Sequence, residues 1–143
     1  MATKLGNDYR LWVESTTPGT YNLVLGQQSL SYGRTANTID ISTKDNTPYA
    51  ASAPGLFDVS VTLDGIADLP DTTGFSRVET LFKAQTATKF QIRKGGTSGA
   101  DADKVLAATF YILDLSIDFG QNDAVKYKLA LGLQSAPTTD VLA

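Results

Sequence analysis

The segment Gly33–Leu56 reads GRTANTIDISTKDNTPYAASAPGL and changes character halfway along. In its first half, Thr38, Asp40 and Ser42 alternate with Ile39 and Ile41. This two-residue period of polar and β-branched residues predicts a half-buried strand over residues 35–42. The second half is rich in asparagine, proline and glycine, which favour turns, and it has neither a helical nor a strand period. We therefore expect a long loop over residues 43–56.

The expected loop carries apolar residues between its turn signals. Tyr49 and three alanines lie between Pro48 and Pro54. A loop of this length in a compact domain usually binds something or is disordered. An apolar loop on a soluble chain indicates a surface for a partner.

Alternation elsewhere predicts further strands. Residues 57–64 and 125–133 alternate clearly, and so do residues 113–119, where Leu113, Leu115, Ile117 and Phe119 interleave with acidic and hydroxyl residues. The expected strands are 9–14, 21–32 with a bend at Gly26, 35–42, 57–64, 89–94, 105–119 and 125–133. A turn at Gly33–Arg34 would join the second and third strands as a hairpin.

One amphipathic helix is expected between the strands. Phe75, Val78, Leu81 and Phe82 form a single apolar stripe, and the residues 71–73 before them offer helix N-caps. We predict a mainly β single domain spanning residues 1–143. It would be an antiparallel sandwich or barrel of about seven strands with one flanking helix, with an N-terminal arm over 1–7 and a C-terminal tail over 135–143.

Composition excludes several classes of function. The 143 residues carry a net charge of −3, which is not the basic footprint of a protein that grips nucleic acid from outside. The chain has no cysteine and no histidine, which excludes thiol chemistry, Ser-His-Asp catalysis and histidine metal ligands. No apolar run reaches the length of a membrane helix, and the N-terminus lacks a signal-peptide pattern. We expect a soluble protein made in the cytosol.

The remaining chemical motifs are weak. Asp114 and Asp118 share a strand face but lie about 13 Å apart at ~3.3 Å per residue, beyond the roughly 5–9.5 Å of a glycosidase pair. Asp101 and Asp103 lack the rest of a calcium loop, and the glycine-rich segment 95–99 lacks the lysine of a phosphate loop. The lysines and arginine over 89–104 are expected to pair with acidic residues. The sequence predicts no enzyme, no cofactor and no metal.

One resemblance covers nearly the whole chain. Its most telling part is TIDISTKD over residues 38–45, then Pro54-Gly55, then the alternating strand that ends in Asp64-Gly65. With the helix and the last three strands in the same order, this progression resembles the phage major tail tube proteins of the TP901-1 type. The same fold occurs in contractile tails, gene transfer agents and secretion-system tubes.

The resemblance implies a structural virion protein of the phage tail, made in the bacterial host cytoplasm. Six copies would form a ring in which inner sheets join into a 24-stranded barrel, and stacked rings would form a tube that conducts DNA into the host. Tape-measure, tail-tip and tail-terminator proteins would be its partners. DNA would pass without specific binding, because an acidic lumen repels phosphates.

Candidate site residues follow from that implied role. The polar faces of the strands offer five carboxylates for the lumen: Asp40, Asp58, Asp64, Asp114 and Asp118. The sequence does not show which of these strands faces the lumen. The 43–56 loop would stack rings through six residues: Lys44, Asp45, Pro48, Tyr49, Pro54 and Leu56. The N-terminal arm and the C-terminal tail would order on assembly.

Two other classes of function stay open. The first is a monomeric β-sandwich module that binds carbohydrate or protein, although Trp12, the chain's one tryptophan, sits among apolar neighbours rather than on an aromatic platform. The second is a small hydrolase, which the missing histidine and cysteine disfavour.

Overall fold

The structure is a computed structural model that describes residues 6–46 and 49–142, apart from the side chains of Asn7 and Asn46. Eight strands and one helix make up this part of the chain. They are β1 (Arg10–Glu14), β2 (Tyr21–Leu23), β3 (Gln27–Asp40), β4 (Ser52–Ile66), α1 (Phe75–Ala84), β5 (Thr88–Arg93), β6 (Lys104–Phe119), β7 (Val125–Leu133) and β8 (Thr139–Asp140). The predicted mainly β fold with one helix is confirmed.

All strand pairs are antiparallel and belong to one sheet, in the order β2-β1-β5-β6-β7-β4-β3. The long strand β6 is shared by the two halves of this sheet. It pairs with β5 from Lys104 to Phe110 and with β7 from Phe110 to Phe119. The sheet does not close on itself, so β2 and β3 lie at its ends.

A single apolar cluster holds the two halves of the sheet and the helix together. The predicted helical stripe is confirmed: Phe75, Val78 and Leu81 are buried, and Phe82 packs on the cluster. The ring of Phe75 meets that of Tyr127 edge-on at 5.3 Å. None of the helices in the described ranges is long and apolar enough to span a membrane.

The side chain of Gln27 joins the start of β3 to β1. Its Oε1 accepts a hydrogen bond from the Leu11 amide at 2.9 Å, and its Nε2 donates to the carbonyls of Leu11 and Val24 at 2.9 and 2.7 Å. One amide side chain thus bonds three backbone groups where β1, the segment after β2 and β3 meet.

The expected turn at Gly33–Arg34 is wrong, because β3 runs without interruption from Gln27 to Asp40. Gly33 lies opposite Ser60 in a ladder with β4 that extends on both sides of it. That continuous pairing outweighs the local preference of glycine for turns.

The expected 43–56 loop is shorter than predicted, because β4 already begins at Ser52. Pro54 lies within this strand, opposite Thr38 and next to an irregularity in the β3–β4 pairing. A proline is tolerated at such a place because it need not donate to the ladder. Residues Thr47 and Pro48 lie outside the described ranges.

The C-terminal tail is more ordered than expected. Thr139 and Asp140 form β8 against β6, and flanking bonds run from the Thr138 and Val141 amides to carbonyls of β6 at 2.8 and 2.9 Å. A two-residue strand leaves no periodic pattern for sequence reasoning to find. Residues 1–5 of the expected N-terminal arm, and Ala143 of the tail, lie outside the described part; Gly6–Asp8 form a 3-10 turn.

The buried carboxylate of Asp71 supports both the helix start and the chain before β3. It accepts hydrogen bonds from the amides of Gly74 and Phe75 at 3.0 Å and from that of Leu25 at 3.1 Å. Asp71→Ala would leave these three donors without their acceptor. We expect the free energy of unfolding to fall by about 2–3 kcal/mol in urea denaturation.

Asp45→Ala is the control for Asp71→Ala, because Asp45 is exposed and its change should cost less than about 0.5 kcal/mol. A loss of similar size in both variants would show that Asp71 has no special structural role.

Candidate functional site

One face of the half-sheet β3, β4, β7 and residues 111–119 of β6 is polar. Its rows run across the four strands: Ser116 lies beside Lys128, Lys128 beside Asp64, and Asp64 beside Ser29. We call this surface the polar face. Its other side carries Val61, Leu63, Leu129 and their neighbours, which belong to the core.

An irregularity in β6 fixes which residues belong to the polar face. Ile112 pairs with Leu131 but Asp114 pairs with Ala130, so Leu113 is an extra residue. A Cβ built on Gly132 would meet Leu113 Cδ1 at 2.5 Å, which places the Leu113 side chain over Gly132 on the polar face. The expectation that Leu113 shares a face with Leu115, Ile117 and Phe119 is therefore wrong, since a bulge inverts the alternation.

Four of the five carboxylates expected to line a lumen share this face. Asp58 and Asp64 lie on β4, and Asp114 and Asp118 lie on β6. Asp40 is not among them. It lies near the far end of β3, where alternation places it on the opposite face, and its pKa is lowered by the hydrogen bond from the Ser42 amide.

The polar face is acidic but contains two lysines. Lys126 lies beside Asp118, and Lys128 lies beside both Ser116 and Asp64. Opposite charges on adjacent strands attract each other across the ladder. With four carboxylates and two ammonium groups, the four strands carry a net charge of −2 on this face. The residues expected from the sequence to line a lumen include these acids but not the two lysines. Alternation along β7 places both lysines on the same face of that strand.

The charged rows border a groove of about 350 Å³. It is lined by Asp64, Ser116, Asp118, Lys126 and Lys128, among others. At the end of the groove, Lys126 Nζ lies 3.3 Å from Asp123 Oδ2. The hydrogen bond from the Ala124 amide and the nearby Lys126 ammonium together lower the pKa of Asp123.

A two-stranded arm extends beyond the last β4–β7 pair, and Asp58 at its base is the outermost carboxylate of the polar face. β4 pairs with β7 only from Ser60 to Ile66, whereas its pairing with β3 continues out to Asp40 and Ser52. We call residues 34–59 the arm. The Ser42 hydroxyl bonds both the amide and the carbonyl of Ala51, at 2.6 and 3.0 Å, which closes the ladder before the tip.

The arm exposes most of the residues expected to contact a partner. Tyr49 and Leu56 are each 82% exposed, and Phe57 and Ile39 are also exposed apolar residues. Lys44 and Asp45 lie at the tip in a 3-10 turn, and Pro54 lies in β4. Pro48 lies outside the described residues. Scattered exposed apolar residues are ordinary, but a concentration on one projection indicates an interaction surface.

The base of the arm contacts the C-terminal segment. Arg34 Nη2 lies 2.9 Å from Asp140 Oδ1, and Arg34 Nε donates to the same oxygen at 3.0 Å and to the Tyr32 hydroxyl at 2.7 Å. The guanidinium also lies over the Tyr32 ring at 4.9 Å. These contacts fix the arm to β8.

The half-sheet that bears the polar face has two open edges. β3 pairs with β4 on one side only, and residues 111–119 of β6 pair with β7 on one side only, among the residues that the structure describes. Because every pairing is antiparallel, β3 and β6 run in opposite directions. A second copy could therefore continue the sheet with antiparallel pairing.

A second polar cluster, on β1, β2 and β5, has a structural role. The buried Arg93 lies between the rings of Trp12 and Tyr21, at 4.8 and 5.1 Å, and bonds Gln91. Its Nη2 also lies 3.8 Å from Oδ1 of Asp101, which follows the glycine-rich segment 95–99, and this ion pair connects that part of the chain to the sheet. In the ranges 6–46 and 49–142, no group of three acidic side chains could hold a metal ion.

Comparison with known proteins identifies the family of the chain. Residues 3–139 match the family described as phage tail tube protein, and the chain belongs to that family. It is a structural component of a phage-type tail tube, as the sequence predicted. No curated protein matches the chain.

Solved structures share the fold at low sequence identity. A chain from the tail of an empty gene transfer agent particle, refined with C6 symmetry, is 18% identical with a TM-score of 0.83, covering 97% of this chain and 100% of that one. A chain of a native gene transfer agent virion is 16% identical, with a TM-score of 0.79 and coverage of 99% and 100%. The SPP1 tail tube protein is 17% identical, with a TM-score of 0.70 and coverage of 96% and 80%.

The effects of Gly65→Ala and Gly132→Ala on stability, compared with each other, test the position of Leu113. In Gly65→Ala the new Cβ would overlap the backbone carbonyl oxygen of Gly26 and lie 2.9 Å from the ring of the buried Tyr127. We expect thermal or urea unfolding to show a loss of about 1–3 kcal/mol. In Gly132→Ala the neighbour is the end of Leu113, which is 67% exposed and can turn into solvent.

The Gly132→Ala variant should therefore lose no more than about 0.5 kcal/mol. Equal losses in the two variants would mean that Leu113 is held firmly, contrary to its exposed position on the polar face.

Proposed function

We propose that six copies of this chain form a ring by joining the open edge of β3 to the open edge of β6 in the next copy. The observation that carries this proposal is the pair of open edges running in opposite directions. Unpaired strand edges are templates for further strands, and closing a sheet into a barrel removes them. The number six is supported by the C6 symmetry of the similar gene transfer agent tail.

Such a ring contains a 24-stranded barrel, because each copy contributes β3, β4, β7 and β6. With strands about 4.8 Å apart and tilted by about 40°, the barrel radius is about 24 Å at the backbone. That leaves a channel wider than a DNA duplex.

The polar face is the one that faces the channel. The opposite face of the same four strands packs on the core, which also includes α1, β1 and β5. The bulk of each subunit must therefore lie outside the barrel. Asp58, Asp64, Asp114 and Asp118 then line the lumen.

The lumen repels the DNA that it conducts. The net charge of −2 on each polar face gives about twelve negative charges per ring of six. Repulsion between these charges and the phosphates lets DNA slide without specific binding. The lysines at 126 and 128 lie beside carboxylates, which limits their attraction for phosphate.

The arm stacks one ring on the next. It projects past the last β4–β7 pair and carries Tyr49, Leu56 and Pro54 as apolar contacts, with Lys44 and Asp45 as polar contacts at its tip. Pro48, which lies outside the described residues, completes the proposed set. The chain termini order further when rings meet.

The completed tube would be a virion component that conducts DNA into the host. Its subunits would be made in the host cytoplasm, and it would meet a tape-measure protein inside and tail-tip and tail-terminator proteins at its two ends. The proposed role is structural, without an enzymatic activity or cofactor.

Solution mass and negative-stain electron microscopy test the ring. At high concentration we expect hexamers, and hollow tubes with six-fold end views, because each copy both offers and accepts a strand edge. Addition of tail-tip proteins provides an initiator for assembly. A chain that stays monomeric even then would contradict the proposal and favour a monomeric binding module.

Replacing residues 43–50 by Asn-Gly tests the arm. The two-residue turn suits a tight hairpin and keeps the Ser42–Ala51 closure. We expect folded subunits that form rings and no long tubes in electron micrographs. Thr43→Ser, which keeps the tip at full length, is the control. Tubes of normal length from the shortened arm would show that other surfaces stack the rings.

A further inference from the structure

We propose that β3 and the neighbouring copy's β6 meet at one defined register, with residues 30–37 of β3 alongside residues 111–119 of β6, where Leu113 is the extra residue. In this register Phe119 lies opposite Leu30, and Ile117 lies opposite Tyr32. The inference rests on the ring proposed above and specifies the contact that closes it.

The two faces of the sheet restrict the allowed registers. Within one copy, Ser29, Asp64, Lys128 and Ser116 form one row across the four strands. The offset is the number of residues by which the neighbouring copy's β6 is shifted along β3. It is zero when Ser29 lies opposite Ser116 of the next copy, so that the row continues straight across the junction. Because side chains alternate between faces, only even offsets keep polar residues on the polar face.

The tilt of barrel strands sets the size of the offset. Strands in barrels tilt by about 35–45°, and closure then requires a total stagger of about 24–35 residues for 24 strands at ~4.8 Å spacing and ~3.3 Å rise. Shared among six equal junctions, this stagger is about four to six residues for each junction. The even values are four and six.

The direction of the offset follows from the length of the edges. Strand β3 starts at Gln27 and continues to Asp40. An offset of four toward Asp40 places all of residues 111–119 beside β3. The same offset in the other direction leaves only residues 27–30 opposite β6, so most of both edges would remain unpaired.

The exposed apolar residues favour an offset of four residues over an offset of six. On the core-facing side of β6, Phe119 is 75% exposed and Ile117 is 38% exposed, because no strand within residues 6–46 and 49–142 of the same copy lies beyond them. Leu30 and Tyr32 are half-buried at the open edge of β3 on the same side. An offset of four sets these two apolar pairs opposite each other.

An offset of six gives a poorer match. It places Ile117 opposite Arg34 and Leu30 opposite Gln121, beyond the end of β6, so Phe119 and Tyr32 remain as the one pair of large apolar residues. An offset of four keeps two such pairs, although it places Leu115 opposite Arg34. Burying an apolar side chain against an apolar one is favourable. The four-residue register therefore continues the core of one copy into the next.

Pairs of engineered cysteines test the register, and the chain offers a clean background because it contains no cysteine. The variant L30C/F119C tests an offset of four. Its matched controls are Y32C/F119C, which tests an offset of six residues, and L30C/I117C, which tests an offset of two. A disulfide needs Cβ atoms about 3.5–4.5 Å apart, whereas a shift of two residues moves them by about 6.6 Å along the strand.

Each variant is first assembled in reducing buffer, where tubes seen by electron microscopy show that folding is intact, and is then oxidised. We expect L30C/F119C to give a ladder of cross-linked species ending at the hexamer on non-reducing gels, while both controls stay monomeric. Cross-linking in a control instead would overturn the register. Tubes without cross-links in any variant would overturn this strand contact while leaving the ring intact.

Hydrogen exchange on the unmodified chain gives an independent readout if a variant does not fold. On assembly, the edge-facing amides of residues 30–37 and 111–119 should gain protection together, while those of residues 27–29 should not. Protection of residues 27–29 would contradict the offset of four. If the unmodified chain formed no rings at all, the ring and the register would both be wrong.

Discussion

The unpaired backbone groups along β3 and along the second half of β6 are the constraint on which the account depends. Natural sheets usually blunt such edges with charges, prolines or short strands. β3 has 14 residues, contains no proline, and has Arg34 and Asp40 as its charged residues. A long, unprotected edge of this kind is a liability in a monomer and an advantage in a subunit that must be joined to copies of itself.

The direction in which the sheet extends depends on strand β6. Its first half completes the layer formed with β1 and β5, and its second half carries the polar face. The extra residue Leu113 separates these two roles by inverting which side chains point to the core. Without that inversion, Leu115 and Ile117 would point into the proposed lumen and the carboxylates of Asp114 and Asp118 would point toward the core.

Sequence patterns predicted the parts of the fold that are locally periodic. The helical stripe ending in Phe82, the alternating strands of the second half and the capping carboxylate of Asp71 all have local signatures, and all are present. The grouping of Asp58, Asp64, Asp114 and Asp118 on one face depends on strand order, which alternation alone does not give. Even so, alternation assigned each of these four to the polar side of its own strand.

The failures share a physical cause. Gly33 and Pro54 have strong local preferences for turns, yet both lie in strands because a partner strand supplies the hydrogen bonds. The bulge at Leu113 and the short strand β8 likewise depend on what lies across the sheet. Interactions between residues far apart in sequence override local propensity, and the sequence lists neither the partner nor the register.

A cryo-electron-microscopy reconstruction of the assembled tube would test the central claim most directly. We predict six copies per ring and one continuous barrel of 24 strands. In this barrel β3 lies next to β6 of the neighbouring copy, and Asp64 and Asp118 point toward the lumen. A reconstruction in which the polar face points outward, or in which subunits meet without joining their sheets, would contradict this prediction.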